Sequence, residues 1–405
     1  MSTAHQIPRW ECVVIVVVFL CAILMPLVRQ ATDKKGNAEA VEKRKLAEFP
    51  ELQEVKWEKK KSRKAFVKYI NKFPAKFEAY YNDHFGWRSE LLATGAWVKV
   101  RGFGESSSKD VIVGRDGWLF YAAENSLSDL LGNKKLSKAE LLAWRSWLEF
   151  RHDWLARRGV RYLFVIAPNK ESIYPEFIPS RFSRRHGTGV TDQLLNYLKD
   201  TGCAVSVLDL RPALIEVKST MQAYFKTDTH WTDQGAFVGC QQIIAFLQRW
   251  MPELKTESAE GVFSQPAQHK LSDLSAMLGL SVGTTESAPA YSPLQRGEQR
   301  IVRFTLPNVS ETKERSPRTV IPGNPLSSRR ALLLRDSFSD AMLKPLSRHF
   351  ASTTWIWRSA TEAVELEKQL AAILQQEKPD VFIEQLVERH VQNVPVPAGC
   401  FGGLP

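Results

Sequence analysis

The chain has 405 residues, 44% hydrophobic, 10% aromatic and 24% charged, which excludes a mostly disordered protein and leaves room for one large domain or two. Its 55 Lys and Arg against 44 Asp and Glu give a net charge of +11, part of it concentrated in Lys59-Lys60-Lys61-Ser62-Arg63-Lys64. No zinc-finger spacing or aromatic RNA-binding signature accompanies that run, so a nucleic-acid partner is not expected, although a basic face could meet a polyanion or anionic lipid.

Taken in chain order, the first element is the unbroken apolar run from Cys12 to Val28. It is at the short end of what spans a bilayer as a helix and longer than the apolar stretch of a typical signal peptide. No convincing small-x-small cleavage site follows it. Residues 1–30 therefore read as a retained signal anchor, followed by a polar connector over 31–75. Phe66 to Trp97 carries aromatic and apolar residues at helical spacing, among them Phe77, Tyr80, Phe85 and Leu91. Val111 to Tyr121 predicts a β-hairpin, because apolar strands flank a Gly-Arg-Asp-Gly turn.

Ser137-Lys138-Ala139-Glu140 is a capping box that opens a long amphipathic helix, closed near Arg158-Gly159. Strands are expected at 161–167, 204–210, 331–334, 353–357 and 380–384. Helices are expected near 192–199, from 232 or 233 to about 250, and over 361–376. Such alternation predicts a parallel sheet wrapped by helices, with the main domain over 76–395. Residues 256–330, rich in Ser, Pro, Gln and Glu, interrupt the pattern as an irregular insertion with one strand-like piece at 299–306. The tail is 396–405.

Five cysteines, none in a CxxC pair, give no support to zinc ribbons or thiol redox chemistry. Cys203 and Cys240 could pair in an oxidising compartment, leaving Cys400 over; free thiols are the other reading.

Two short segments carry chemistry. In Thr227-Asp228-Thr229-His230-Trp231, a carboxylate two residues before a histidine can orient the imidazole, as a general base requires. In Arg335-Asp336-Ser337-Phe338-Ser339, a serine follows a strand and enters a helical turn, a position where backbone N–H groups can face a developing oxyanion. Each segment alone also has a bland reading, a structural histidine in one case and a helix cap in the other. Ser339 competes with Ser337 as nucleophile. A metal at Asp228 and His230 lacks a third ligand, because His152, His186, His269, His349 and His390 stand in no ligand-like spacing.

Together with Phe73–Leu92, Val111–Tyr121, Ala167–Glu176 and Asp273–Leu280, these segments resemble, in order, the AlgJ/AlgX group of alginate O-acetyltransferases and their DHHW relatives. The resemblance implies an SGNH-hydrolase-like three-layer α/β/α fold with a mainly parallel sheet, behind an N-terminal transmembrane helix. It implies Ser337 as nucleophile, His230 as base and Asp228 as its orienting acid, with no cofactor and no metal. It further implies a polysaccharide acceptor, a membrane-bound O-acyltransferase as acetyl donor, and a periplasmic catalytic domain held at the inner membrane. Charges around the span, Arg9 before it and Arg29, Lys34 and Lys35 after it, do not by themselves favour that orientation. Arg335 stands where the motif often has Gly, and could contact an anionic substrate. Asn169 and Lys170, just beyond the strand ending at Ala167, are candidate oxyanion or substrate contacts. An esterase using the same triad, or a non-catalytic secretion component, are the alternatives.

Overall fold

The structure, a computed structural model, describes residues 9–32, 45–50, 61–182, 188–269, 272–280, 286–292, 302–304, 318–322, 327–358 and 363–395. The tail 396–405 with Cys400, the start of the expected anchor, and parts of the connector and insertion lie outside the described residues. The chain divides into a unit of Met1–Ser107 with Ala276–Gly283, and a larger unit of Ser108–Ser275 with Thr284–Pro405.

In its described part the smaller unit is helical. Helix Arg9–Thr32 carries the apolar run, and Val13, Ile15, Phe19, Leu24 and Val28 on it are exposed. Taken over the described residues, no helix is long and apolar enough to cross a membrane. Helix Lys61–His84 begins within the stretch expected to be connector. Its aromatic residues recur at helical spacing, and Phe73 and Phe77 stack with ring centres 6.0 Å apart. The helical spacing expected over Phe66 to Trp97 is met by two helices, with a break at Trp87, which takes a left-handed φ of 64° before helix Arg88–Trp97.

The larger unit opens with the expected hairpin, β1 (Val111–Val113) against β2 (Leu119–Tyr121). Asp116 and Gly117 turn it with φ of 52° and 80°, the left-handed pair that a tight reversal needs. Helix Lys138–Ala156 follows, and its capping box is formed: the Ser137 hydroxyl accepts from Glu140 N–H, and the Glu140 carboxylate accepts from Ser137 N–H.

Seven of the remaining strands make one mixed sheet. They are β3 (Arg161–Ala167), β4 (Val207–Asp209), β7 (Val302–Phe304), β8 (Arg318–Pro322), β9 (Arg330–Arg335), β10 (Ser352–Trp357) and β11 (Val381–Val387), in the order β4-β3-β11-β9-β10-β8-β7. The first five run parallel; β8 pairs antiparallel with β10, and β7 pairs antiparallel with β8. Among the described residues of the insertion, β5 (Phe263–His269) and β6 (Glu286–Tyr291) pair with each other as a separate two-stranded sheet.

The side chains of the central strands alternate between two cores. Leu163, Val165 and Ala167 of β3 pack with Leu333, Ile383 and helix Asp233–Leu247 on one face. Tyr162, Phe164 and Ile166 pack with Leu332, Phe382 and helices Lys138–Ala156, Val190–Asp200 and Ala363–Glu377 on the other. Burial on both faces is why these strands read as continuous apolar runs, and each buried Leu, Ile or Phe contributes about 1.5–3 kcal/mol. Three layers result, helices on sheet on helices. Cys240 lies in the first core and Cys203 packs against the second, so the two thiols sit on opposite faces of the sheet and are free. The parallel strands place the residues that follow β3, β9 and β11 on one edge of the sheet.

Candidate active site

Ser337 follows β9 at the first position of a 3-10 turn, Ser337–Met342. Asp336 shapes that turn. One carboxylate oxygen accepts the Phe338 N–H at 2.9 Å and the other accepts the Val387 N–H at 2.7 Å, tying the turn to the end of β11. Asp336 is thus a cap and a cross-strand tie.

His230 lies on a loop closed by a bridge between Tyr224 and Trp231 and by the Phe225 N–H donating to the His230 carbonyl. Helix Asp233–Leu247 begins directly after it, capped by the Thr232 hydroxyl, which accepts from Gly235 N–H. Gly235 is required there: a Cβ would come within 2.2 Å of the Ala223 carbonyl oxygen. Trp231 is buried, and its indole N–H donates to the Phe338 carbonyl at 2.8 Å, joining this loop to the serine turn.

The three expected residues meet. His230 Nε2 lies 2.8 Å from Ser337 Oγ, and His230 Nδ1 lies 2.7 Å from Asp228 Oδ1. The same Asp228 oxygen accepts the backbone N–H of His230 at 2.9 Å, so one carboxylate fixes both the ring and the chain that bears it. Burial opposes protonation of the imidazole, but the hydrogen bond and charge of Asp228, with the charge of Asp273, hold its pKa above the ordinary histidine value. Burial likewise works against the Asp228 carboxylate, and the His230 contact outweighs it, keeping Asp228 below the usual range. A neutral His230 with Nδ1–H donated to Asp228 has Nε2 available to take the serine proton.

The other candidates separate by role. Lys170 is 2% exposed, and its ammonium donates to the carbonyls of Phe225 at 3.0 Å, Lys226 at 3.0 Å and Asp228 at 2.7 Å. Burial pushes its pKa down to about 8. Lys170 therefore holds the loop that carries Asp228, with all three protons engaged by backbone. Arg335 is buried at the end of β9; its guanidinium pairs with Asp340 and lies 4.6 Å from the centre of the Trp357 ring. Asn169 is buried at the mouth of β3, where its N–H donates to Glu388 at 2.8 Å, and its amide side chain makes no hydrogen bond among the described residues. Ser339 is buried and donates to Gln385 at 2.6 Å, so only Ser337 of the two serines meets the imidazole.

Sequence reasoning missed two acids. Asp273 Oδ1 accepts the Thr229 N–H at 2.7 Å, and its own N–H donates to Asp228 Oδ2 at 3.1 Å. Glu286 accepts the N–H groups of Lys226 at 2.7 Å and Thr227 at 2.5 Å. Asp228, His230 and Asp273 come within metal-ligand proximity of one another. Asp273, from a distant segment, thus supplies the third ligand-type group that the histidine spacing did not offer, while Asp228 Oδ1 and Oδ2, His230 Nδ1 and Asp273 Oδ1 are engaged in the hydrogen bonds just described.

The family described as "SGNH hydrolase-like domain, acetyltransferase AlgX" matches residues 111–386, which hold nearly the whole sheet and all three of these side chains. The chain belongs to this family. Over 177 residues this AlgX-type chain is 28% identical to the protein named "Probable alginate O-acetylase AlgJ" of Pseudomonas syringae pv. tomato, a match covering 43% of this chain and 42% of that one. To the protein of the same name in Pseudomonas aeruginosa it is 26% identical over 170 residues, covering 41% and 40%. The AlgX-type chain thus spans less than half the length of these relatives. Among solved structures, it is 18% identical to PatB1 of Bacillus cereus, with a TM-score of 0.48 and coverage of 69% of this chain and 96% of that one. For the O-acetyltransferase domain of Pseudomonas putida AlgJ the values are 18%, 0.45, 69% and 91%.

Proposed function

We propose that this protein is an O-acetyltransferase that carries an acetyl group through Ser337 to a hydroxyl of an exported polysaccharide, alginate or a related exopolysaccharide. The observation that carries this reading is the unbroken chain from Ser337 Oγ through both nitrogens of His230 to Asp228. In the first half-reaction His230 Nε2 accepts the Ser337 proton as Oγ attacks the acetyl carbonyl. The N–H of Ser337, at the mouth of its 3-10 turn, faces the developing oxyanion, with the Asn169 amide as second donor. The proton then passes to the leaving group. In the second half-reaction His230 deprotonates the acceptor hydroxyl, which takes the acetyl group and frees Ser337. Asp228 holds the tautomer and balances the imidazolium in both halves.

The names of the relatives support acetyl as the group and alginate as the acceptor class. Helix Arg9–Thr32, with its exposed apolar residues, supports an N-terminal membrane anchor. On this reading the catalytic unit works in the periplasm, and a membrane-bound O-acyltransferase supplies the acetyl donor.

The test is incubation of the full chain, in detergent, with an activated acetyl ester, beside Ser337→Ala, followed by intact-mass spectrometry. The expected result is one acetyl adduct on the wild-type protein alone, discharged onto an added uronate oligosaccharide. An adduct discharged only to water would make the protein an esterase. An equal adduct on Ser337→Ala would overturn the assignment of the nucleophile.

A further inference from the structure

His230 faces more than one acid. Asp228 Oδ1 takes the Nδ1 proton at 2.7 Å, and Asp273 Oδ2 lies 3.9 Å from the same nitrogen. The two carboxylates differ in setting. Asp228 is buried, its side chain 7% exposed, whereas that of Asp273 is 37% exposed. Asp273 arrives from another part of the chain, at the start of helix Asp273–Met277, and this segment is bound to the His230 loop at four points. Besides the two bonds made by Asp273, the Ser272 hydroxyl donates to the Thr227 carbonyl at 2.7 Å and the Ser275 N–H donates to it at 3.2 Å. Since Asp273 Oδ1 is committed to Thr229, its second oxygen is the one turned to the imidazole.

We propose that Asp273 is a second, positioning carboxylate for His230, holding the loop through Thr229 and setting its charge against the Nδ1 edge so that the imidazolium is balanced by two acids. The proposal rests on the acyl-transfer reading of Ser337 and His230 and deepens it. When the Ser337 proton reaches Nε2 the ring becomes cationic, and an acid about 4 Å away favours that state. The other groups facing the ring are few. Asp228 is on its own loop, Ser337 and the Phe338 ring are on the serine turn, and Arg389, beyond β11, opposes the positive charge. Lys170 stands behind Asp228 with its ammonium spent on carbonyls.

Asp273→Asn separates charge from support, because the amide oxygen can still accept from Thr229. In full-length protein with labelled histidine, the His230 ring is followed by NMR titration, its signal identified by loss in His230→Gln. The midpoint is expected to fall by about half a unit to one unit in Asp273→Asn, and the acid limb of kcat/KM to shift with it. Asp273→Glu is expected to restore most of that shift. The plateau rate should drop by about 3- to 10-fold, far less than the roughly 10⁴-fold expected of Asp228→Asn. An unmoved midpoint in folded Asp273→Asn protein would overturn the proposal. Turnover surviving in Ser337→Ala would instead overturn the acyl-transfer reading, and the titration would still decide what Asp273 does.

Discussion

At the scale of single residues, the instructive case is a lysine expected to touch substrate and found holding backbone. The ammonium of Lys170 fills a pocket of three carbonyls under the Asp228 loop, with the rings of Trp118 and Phe120 within 5.9 Å and 5.5 Å. Lys170→Met keeps the length of the stem and removes every donor. Each buried carbonyl that loses its charged donor costs about 1–3 kcal/mol before relaxation, and the Lys226 carbonyl keeps the Leu119 N–H, so urea unfolding should show a net loss of about 2–4 kcal/mol. Because the loop carries Asp228 and His230, kcat should fall more than KM rises; a variant of unchanged stability and kcat would refute the role. The sequence shows a Lys at a strand end, and that position suggests catalysis. What it hides is that the facing segment presents three carbonyls with no other use for a cation than to be held. Asp273 and Glu286 were hidden for the same reason: their bonds to the base loop cross sequence separations of 44 and 60 residues, and no local spacing records them.

At the scale of elements, patterns that depend on near neighbours were legible. The capping box, the Gly-Arg-Asp-Gly hairpin turn, the apolar parallel strands and the loop-borne Asp228 and His230 all follow from local residue chemistry. Strand β8 was not legible, since Arg318–Pro322 is short, sits in a polar segment and becomes a strand by pairing with β10 on one side and β7 on the other. The break at Trp87 escaped because its aromatic neighbours keep helical spacing on both sides. β11 has a further hidden feature, a glutamate beside Gln385 in a run otherwise apolar. Glu384 is buried, accepts from Tyr162 Oη at 2.7 Å and Arg358 at 2.7 Å, and lies 3.8 Å from Arg151. Burial alone would raise its pKa, and the two arginines more than offset this, holding it below the ordinary glutamate value. Its stabilisation is therefore present above the unfolded-state pKa and lost as pH falls through the lower folded value. Glu384→Leu should cost about 3–5 kcal/mol at neutral pH by leaving buried guanidinium charge uncompensated, measured by chemical unfolding. A loss below about 1 kcal/mol would show that the arginines find other partners.

At the scale of the molecule, the excess of positive charge and the exposed apolar residues of the first helix call for different partners. The helix gives a direct test of the proposed anchor. Full-length protein should remain with carbonate-washed bacterial membranes, and Val16→Lys with Phe19→Lys should release it, since a charge at mid-span costs about 2.5–3.5 kcal/mol. Retention of that double variant would mean that something other than the apolar helix binds the membrane. Release of wild type by the wash would remove the anchor itself.

The ties that assemble the serine–histidine pair have a consequence in time. Ser337 meets His230 across 107 residues, and Asp336, which sets the serine turn, is fastened to Val387 at the end of the last strand of the sheet. During synthesis the nucleophile therefore leaves the ribosome some fifty residues before the strand that completes its turn. Contacts of such long range close late in folding. On the proposed function, the nascent chain is thus inert toward acyl donors until β11 has emerged, and competence to be acylated arrives with the closing of the fold rather than with the appearance of the serine.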